Sequence, residues 1–200
     1  MRSAMFGGSF DPIHLGHLYL LHTIYQETAF RKIFLVPAYI NNFKQENGPR
    51  ATSQDRLAML QLAVQDYRDI YGDDDLTLIV SPLEIERGGI SYTYDTVEDL
   101  MSHNTIEGKL GLLMGDDLVS SLDKWYRSED LKNKVEYIIC RRGNTPVQIP
   151  QDYQINYLNN DPQFDSSTLV RQRIEDGRDV GEYLSKRVSD YVKQHKLYRN

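Results

Sequence analysis

Two hundred residues, 40% hydrophobic and 26% charged, suffice for one well-buried core and are few for two, so a single domain over residues 1–200 is expected. A net charge of −6 argues against nonspecific nucleic-acid binding, and any phosphate site must be a local basic pocket in an acidic protein. No apolar run reaches membrane-spanning length, no basic-apolar leader opens the sequence, and the one cysteine, Cys140, allows no internal disulfide, so a reducing cytoplasm without a membrane partner is expected.

The apolar run Ala4-Met5-Phe6 reads as a buried strand. Leu18, Leu21 and Ile24 follow at helical spacing, and Tyr25 extends the stripe. Between them, Gly7-Gly8-Ser9-Phe10-Asp11-Pro12-Ile13-His14-Leu15-Gly16-His17 is a strand-to-helix turn opening a βα unit. The paired glycines are expected to take positive φ and to let a ligand approach the main chain. The helix start presents unpaired N–H groups and a positive dipole end, which suit phosphate. His14 and His17, three apart, share one face of the first turn, and Gly16 removes a side chain that would block a bulky ligand. The histidines could instead ligate a metal, but no third ligand is obvious and the zinc-protease pattern is absent. A glycine pair alone is an ordinary turn, and two histidines alone are ordinary surface residues. Their combination carries the specificity.

A second strand, Ile33 to Val36, is stopped by Pro37. The polar loop Ala38 to Thr52 is long enough to suggest a functional segment, expected to close over a nucleotide. Ser53 is expected to cap a helix whose core face is Leu57, Leu60 and Val64, with Met59 and Ala63 beside it. Asp73-Asp74-Asp75 reads as a solvated turn. A third strand, Leu76 to Val80, leads through Ser81–Gly89 to Ser91-Tyr92-Thr93, which opens a helix carrying Val97, Leu100 and Met101. A fourth strand, Leu110 to Met114, ends at Gly115-Asp116-Asp117, followed by a short helix with Leu118 and Leu122 and then Trp125-Tyr126. Val135 to Cys140 is a fifth strand and Ile155 to Leu158 a sixth. Ser166-Ser167-Thr168 caps a helix with Leu169, Val170 and Ile174, and a last helix carries Val188, Tyr191 and Val192.

Strands alternating with amphipathic helices predict an α/β, Rossmann-like doubly wound parallel sheet of five to six strands, with flanking helices and a small C-terminal helical part. With strand order 3-2-1-4-5, ligands bind where the order reverses, at the carboxyl ends of strands 1 and 4. Gly7-Gly8 and Gly115-Asp116 would then face one crevice. Gly115-Asp116-Asp117 also reads as a plain helix cap.

The His-x-Gly-His turn resembles the signature of the nucleotidyltransferase superfamily. Across nearly the whole chain, the sequence is similar to bacterial nicotinate-nucleotide adenylyltransferases. The matching pieces are Gly7 to His17; Val36-Pro37 followed by Lys44; Ser91 to Thr96; Gly115-Asp116-Asp117 with Trp125-Tyr126; Arg141-Arg142-Gly143; Ser166-Ser167-Thr168 with Arg171; and Leu197-Tyr198. The sequence departs from the family at Tyr39 to Lys44, where paired prolines and a histidine are usual, at Asp165, where an apolar residue is usual, and at Asp117.

The resemblance implies adenylyl transfer from ATP to nicotinate mononucleotide in NAD synthesis. The attacking phosphate is already ionised, so the enzyme's work is alignment and charge stabilisation. His14, His17, Lys44 and Arg171 are the implied catalytic groups, with His17 at the α-phosphate. ATP is implied to contact Gly7, Gly8, Ser9, Phe10, His14, His17, Gly115, Asp116, Ser167, Thr168 and Arg171. The nicotinate ring is implied to lie on Trp125, with its carboxylate at main-chain N–H groups of the Ser91-Tyr92-Thr93 segment. Mg²⁺ is implied to come carried by ATP oxygens, with few or no protein ligands. Two other readings stay open: a different acceptor, such as nicotinamide mononucleotide, pantetheine phosphate or a cytidylyl acceptor, and a noncatalytic nucleotide sensor. Whether the chain forms a homo-oligomer is also left open.

Overall fold

The structure is a computed structural model that describes residues 1–41, 48–72, 75–142, 152–161 and 166–199. Lys44, Asp73, Asp74, Gly143 and Asp165 lie outside the described residues, as does the middle of the long loop after strand 2, residues 42–47.

The elements follow in chain order: β1 (Arg2–Gly8), α1 (Leu15–Glu27), β2 (Phe30–Pro37), β3 (Ile40–Asn41), α2 (Ser53–Tyr71), β4 (Thr77–Val80), α3 (Leu83–Arg87), β5 (Ile90–Ser91), α4 (Thr93–His103), β6 (Leu110–Gly115), a 3-10 helix (Asp116–Lys124), α5 (Ser128–Lys134), β7 (Val135–Cys140), β8 (Ile155–Tyr157), α6 (Ser167–Glu175) and α7 (Lys186–Gln194). Six strands form one sheet in the order β4-β2-β1-β6-β7-β8, every pair parallel. Among these six strands the spatial order is the expected 3-2-1-4-5, with the sixth added beyond the fifth.

Alternation along the strands makes the sheet doubly wound. Ala4, Phe6, Ile33, Leu35, Leu113 and Ile138 face one core, with Leu18, Leu21 and Ile24 of α1, Met59, Leu60 and Ala63 of α2, and Val188 and Val192 of α7. Met5, Phe34, Val36, Leu112, Tyr137 and Ile139 face the other, with Val97 and Leu100 of α4, Leu122, and Leu131 of α5. Both faces of the central strands are buried, hence their unbroken apolar runs. Gly111 in β6 permits the tight fit: a Cβ there would stand 2.7 Å from the Phe30 ring.

Several details differ from the sequence reading. Thr52 rather than Ser53 caps α2, accepting from the Asp55 N–H. The buried face of α2 is rotated from the expected one, to Arg56, Met59, Leu60, Ala63, Asp66 and Tyr67, leaving Leu57 and Val64 partly exposed. Two polar side chains occupy that face because each has partners elsewhere in the fold: Arg56 in the turn after β1, and Asp66 at the start of α7. The short helix expected after β6 is present as a 3-10 helix. The short α3 and α5 and the two-stranded sheet β3-β5 were not anticipated; such short elements carry little periodicity to read.

Candidate active site

β1 and β6 are neighbours at the middle of the sheet and run in the same direction, so their carboxyl ends open on one crevice where the strand order reverses. The turn after β1 fills one side of it. Gly7 and Gly8 remain in extended strand, and the positive φ expected of them falls on Phe10 instead (46°). What the glycines supply is clearance. A Cβ on Gly8 would sit 3.3 Å from the Phe10 ring. Phe10 is buried, edge-on to Phe6 at 5.3 Å and to His17 at 5.2 Å. The Asp11-Pro12 bond after it is cis.

His14 occupies the cap position of α1, and its N–H donates to Nδ1 of His17 at 3.2 Å. The two ring centroids are 3.7 Å apart, so the imidazoles do share one face. His14 is 6% exposed, and burial, helped by the charge of Arg142, pushes its pKa down to about 4. His14 is therefore neutral at physiological pH.

Asp11 ties this turn to three distant segments. Its Oδ1 accepts the Ala51 N–H at 3.0 Å and the Tyr198 hydroxyl at 2.8 Å, and its Oδ2 accepts the Arg50 N–H at 2.9 Å. Arg171 stands beside it, donating to the Asp11 carbonyl at 2.6 Å, 3.6 Å from Oδ2, and to Thr168 Oγ1 at 3.1 Å. The Ser167 hydroxyl donates to the Pro12 carbonyl at 2.9 Å, so the N-terminus of α6 abuts the histidine turn. Ser166 caps that helix by accepting from the Leu169 N–H. Beneath the turn, the buried Arg56 guanidinium donates to the carbonyls of Ser9 (2.8 Å) and Ala38 (2.7 Å), joining the loops after β1 and β2.

At the end of β6, Gly115 is roofed by neighbours: a Cβ would meet the Asp117 and Arg142 side chains at 2.2 and 2.8 Å. Asp116 is buried, and both its oxygens have protein partners, the Arg142 N–H at 3.0 Å and the Tyr157 hydroxyl at 3.1 Å.

One cavity joins the two halves. Its wall includes Phe6, Gly7 and Gly8 from β1, Gly115 and Leu118 after β6, Ser91, Thr93 and Glu84 from the α3–α4 segment, and Trp125, Cys140 and Arg142. The Phe6 ring centroid is 5.6 Å from that of His17, which connects the histidine turn to this wall. The Trp125 Nε1–H donates to Ser121 Oγ at 3.2 Å, which fixes the indole. Tyr92 caps α4 and packs on Tyr126 at 4.8 Å rather than lining the cavity. Behind Ser91 and Thr93, buried Glu84 accepts from Thr96 Oγ1 at 2.5 Å and also bonds Ser91. Burial raises its pKa. Ser91 Oγ in turn accepts the Tyr39 N–H at 3.2 Å.

The fold thus gathers Gly7, Gly8, Gly115, Ser91, Thr93 and Trp125 around one space, with His14, His17, Ser167, Thr168 and Arg171 at the adjoining turn. Ser9 and Asp116 are engaged within the protein. Asp11 belongs to the expected turn but had no role assigned to it, and Arg56, Glu84 and Tyr198 were not foreseen as parts of this region. The available signal for two of them was a charged residue out of pattern: Arg56 on the apolar stripe of α2, and Glu84 before a glycine-rich turn.

The cytidylyltransferase-like family model matches residues 5–173. A protein of Enterococcus faecalis named probable nicotinate-nucleotide adenylyltransferase is 33% identical over 98% of this chain and 84% of its own length. A Hydrogenobaculum protein of the same name is 32% identical over 99% of this chain and 98% of its own. Among solved structures, Plasmodium falciparum nicotinic acid mononucleotide adenylyltransferase complexed with NaAD superposes with a TM-score of 0.75 at 20% identity, covering 98% of this chain and 97% of that one; that likeness shows the fold. Sequence match over most of its length and a shared architecture agree: this chain belongs to the cytidylyltransferase-like family and, within it, to the nicotinate-nucleotide adenylyltransferases.

Proposed function

We propose that this chain transfers the adenylyl group of ATP to nicotinate mononucleotide, releasing pyrophosphate and forming nicotinate adenine dinucleotide. The observation that carries this reading is the single cavity at the strand-order reversal, bounded on one side by Gly7, Gly8 and Gly115 and on the other by Ser91, Thr93 and Trp125. A two-substrate reaction needs both substrates in one space, and the sheet's switch point provides it.

A phosphate oxygen of the mononucleotide attacks the α-phosphorus. The bond from that phosphorus to the bridging oxygen breaks, and its electrons leave with pyrophosphate. No general base is required. His17 accepts the His14 N–H at Nδ1, so a neutral His17 carries its proton on Nε2 and donates it to an α-phosphate oxygen. Neutral His14 and the N–H groups opening α1 add dipoles without an ion to desolvate. Arg171 and the first turn of α6 face the β- and γ-phosphates, and Lys44 is assigned to the same charge. Mg²⁺ enters as part of the substrate, on ATP oxygens, and offsets the charge of the leaving pyrophosphate. The groups at this turn, the Arg171 guanidinium, the imidazoles and the N–H groups opening α1, are hydrogen-bond donors, which suit phosphate oxygens rather than a cation. Trp125 takes the pyridinium ring.

A cytoplasmic setting is part of this reading. Cys140 is a free, buried thiol, and no helix among the described residues is long and apolar enough to cross a membrane. The test is pyrophosphate release from ATP and Mg²⁺ with nicotinate mononucleotide, nicotinamide mononucleotide, or no acceptor. Release that depends on nicotinate mononucleotide supports the proposal; ATP binding without turnover of any acceptor would leave a sensor instead.

A further inference from the structure

Asp11 is 3% exposed, yet it carries a carboxylate in the middle of a turn built for anions. An unneutralised negative charge there would repel a triphosphate and would hold any nearby cation for itself. Its surroundings divide the charge. Oδ2 takes the Arg50 N–H and lies 3.6 Å from Arg171 Nη1, whereas Oδ1 takes the Ala51 N–H and the Tyr198 hydroxyl. The phenol comes from 187 residues away in sequence and is itself buried, 6% exposed. Tyr198 reaches this place with a left-handed backbone (φ 62°). That conformation is uncommon for a bulky residue and persists only where the surroundings fix it. Among these partners, Arg171 is the one that brings a charged side chain to the carboxylate. It donates to a main-chain carbonyl and to Thr168 and forms a longer ion pair with one edge of the carboxylate, and its side chain is one-fifth exposed.

We propose that Tyr198 is a positioning residue for ATP binding: its hydroxyl draws on the Asp11 carboxylate and so sets how firmly Asp11 retains the Arg171 guanidinium. With the phenol bonded to Oδ1, Asp11 is largely satisfied and holds Arg171 only at 3.6 Å, a loose pairing from which a phosphate can draw the guanidinium. Without the phenol, the carboxylate draws harder on the guanidinium beside its Oδ2 edge, although buried Arg56 also faces it, and Arg171 is withheld from phosphate. This rests on the reading of the site as an ATP site.

The experiment is a double-mutant cycle on ATP affinity, measured by calorimetry with Mg²⁺ and no acceptor, in wild type, Tyr198→Phe, Arg171→Met and the double variant. Phenylalanine keeps the ring in its buried place, so melting temperature separates lost packing from the effect sought. Tyr198→Phe is expected to raise the ATP Kd roughly 5- to 10-fold, the size of one ordinary intramolecular hydrogen bond. In the Arg171→Met background it is expected to change Kd by less than about 2-fold, while the fall in melting temperature is the same in both. An equal rise in Kd in both backgrounds, or none in either, overturns the inference and leaves the functional reading intact. Failure of the wild-type chain to bind ATP overturns that reading, and this inference with it.

Discussion

The main-chain N–H of His14 donates to Nδ1 of His17 at 3.2 Å, so the cap of α1 also fixes the tautomer of the imidazole one turn on. A neutral histidine held in this way carries its proton on Nε2 and can donate without being protonated as a cation. His17→Ala is therefore expected to lower kcat by roughly 10²- to 10³-fold, as for loss of one transition-state donor, and to change the KM for ATP far less. Steady-state kinetics on the folded variant decide it; near wild-type kcat would remove His17 from the mechanism.

His14 couples this site to pH. Its folded pKa is about 4 against an ordinary 6.5, so between those values the unfolded chain binds more protons than the folded one. Stability from this group is complete above pH 6.5 and declines as pH falls toward 4, by ~3 kcal/mol in all. Urea unfolding at pH 7, 5.5 and 4.5 should show this decline in wild type and a flatter profile in His14→Asn. Parallel profiles would mean that other groups set the acid sensitivity.

Wild type is expected to use nicotinate mononucleotide better than nicotinamide mononucleotide. A carboxylate accepts from main-chain N–H groups with both oxygens, whereas an amide turns an NH₂ toward one donor. The unpaired donor costs ~1–3 kcal/mol, or about 10- to 100-fold in kcat/KM. Trp125 stacks on either ring alike. Trp125→Ala should thus impair both acceptors and preserve their ratio, measured as kcat/KM for each. A ratio that collapses in the variant would assign discrimination to the indole.

Arg56→Met should fold less stably and bind ATP more weakly. Methionine leaves the Ser9 and Ala38 carbonyls, now bonded at 2.8 and 2.7 Å, without their donor, at ~1–3 kcal/mol for each group left buried. Chemical denaturation gives the first effect, and the ATP Kd gives the second. Lost stability with unchanged Kd would confine Arg56 to folding.

The sheet was legible because its signal is redundant. Six strands each end in a glycine, proline or polar break, and the burial of both faces writes unbroken apolar runs. The glycine and histidine turn was legible because spacing alone puts two imidazoles on one helical face. The network beneath it was not. Arg56 violates the apolar stripe of α2, and Asp11 finds its partners at Arg50, Ala51, Arg171 and Tyr198, contacts that no local pattern encodes. The glycine pair misled for a related reason: a turn can place its left-handed residue anywhere that packing supports it, and here the aromatic contacts of Phe10 with Phe6 and His17 do so.

The bond between Asp11 and Tyr198 spans 187 positions, and a ribosome makes the two ends far apart in time. At about 5–20 residues per second, roughly 10 to 40 s of synthesis separate the carboxylate from its phenol. Through that interval, β1 and α1 can already pack and Arg50 and Ala51 can already reach the turn between them, but its carboxylate still lacks the phenol. A nascent chain can therefore hold its first βα unit long before it has the means to bind a nucleotide there.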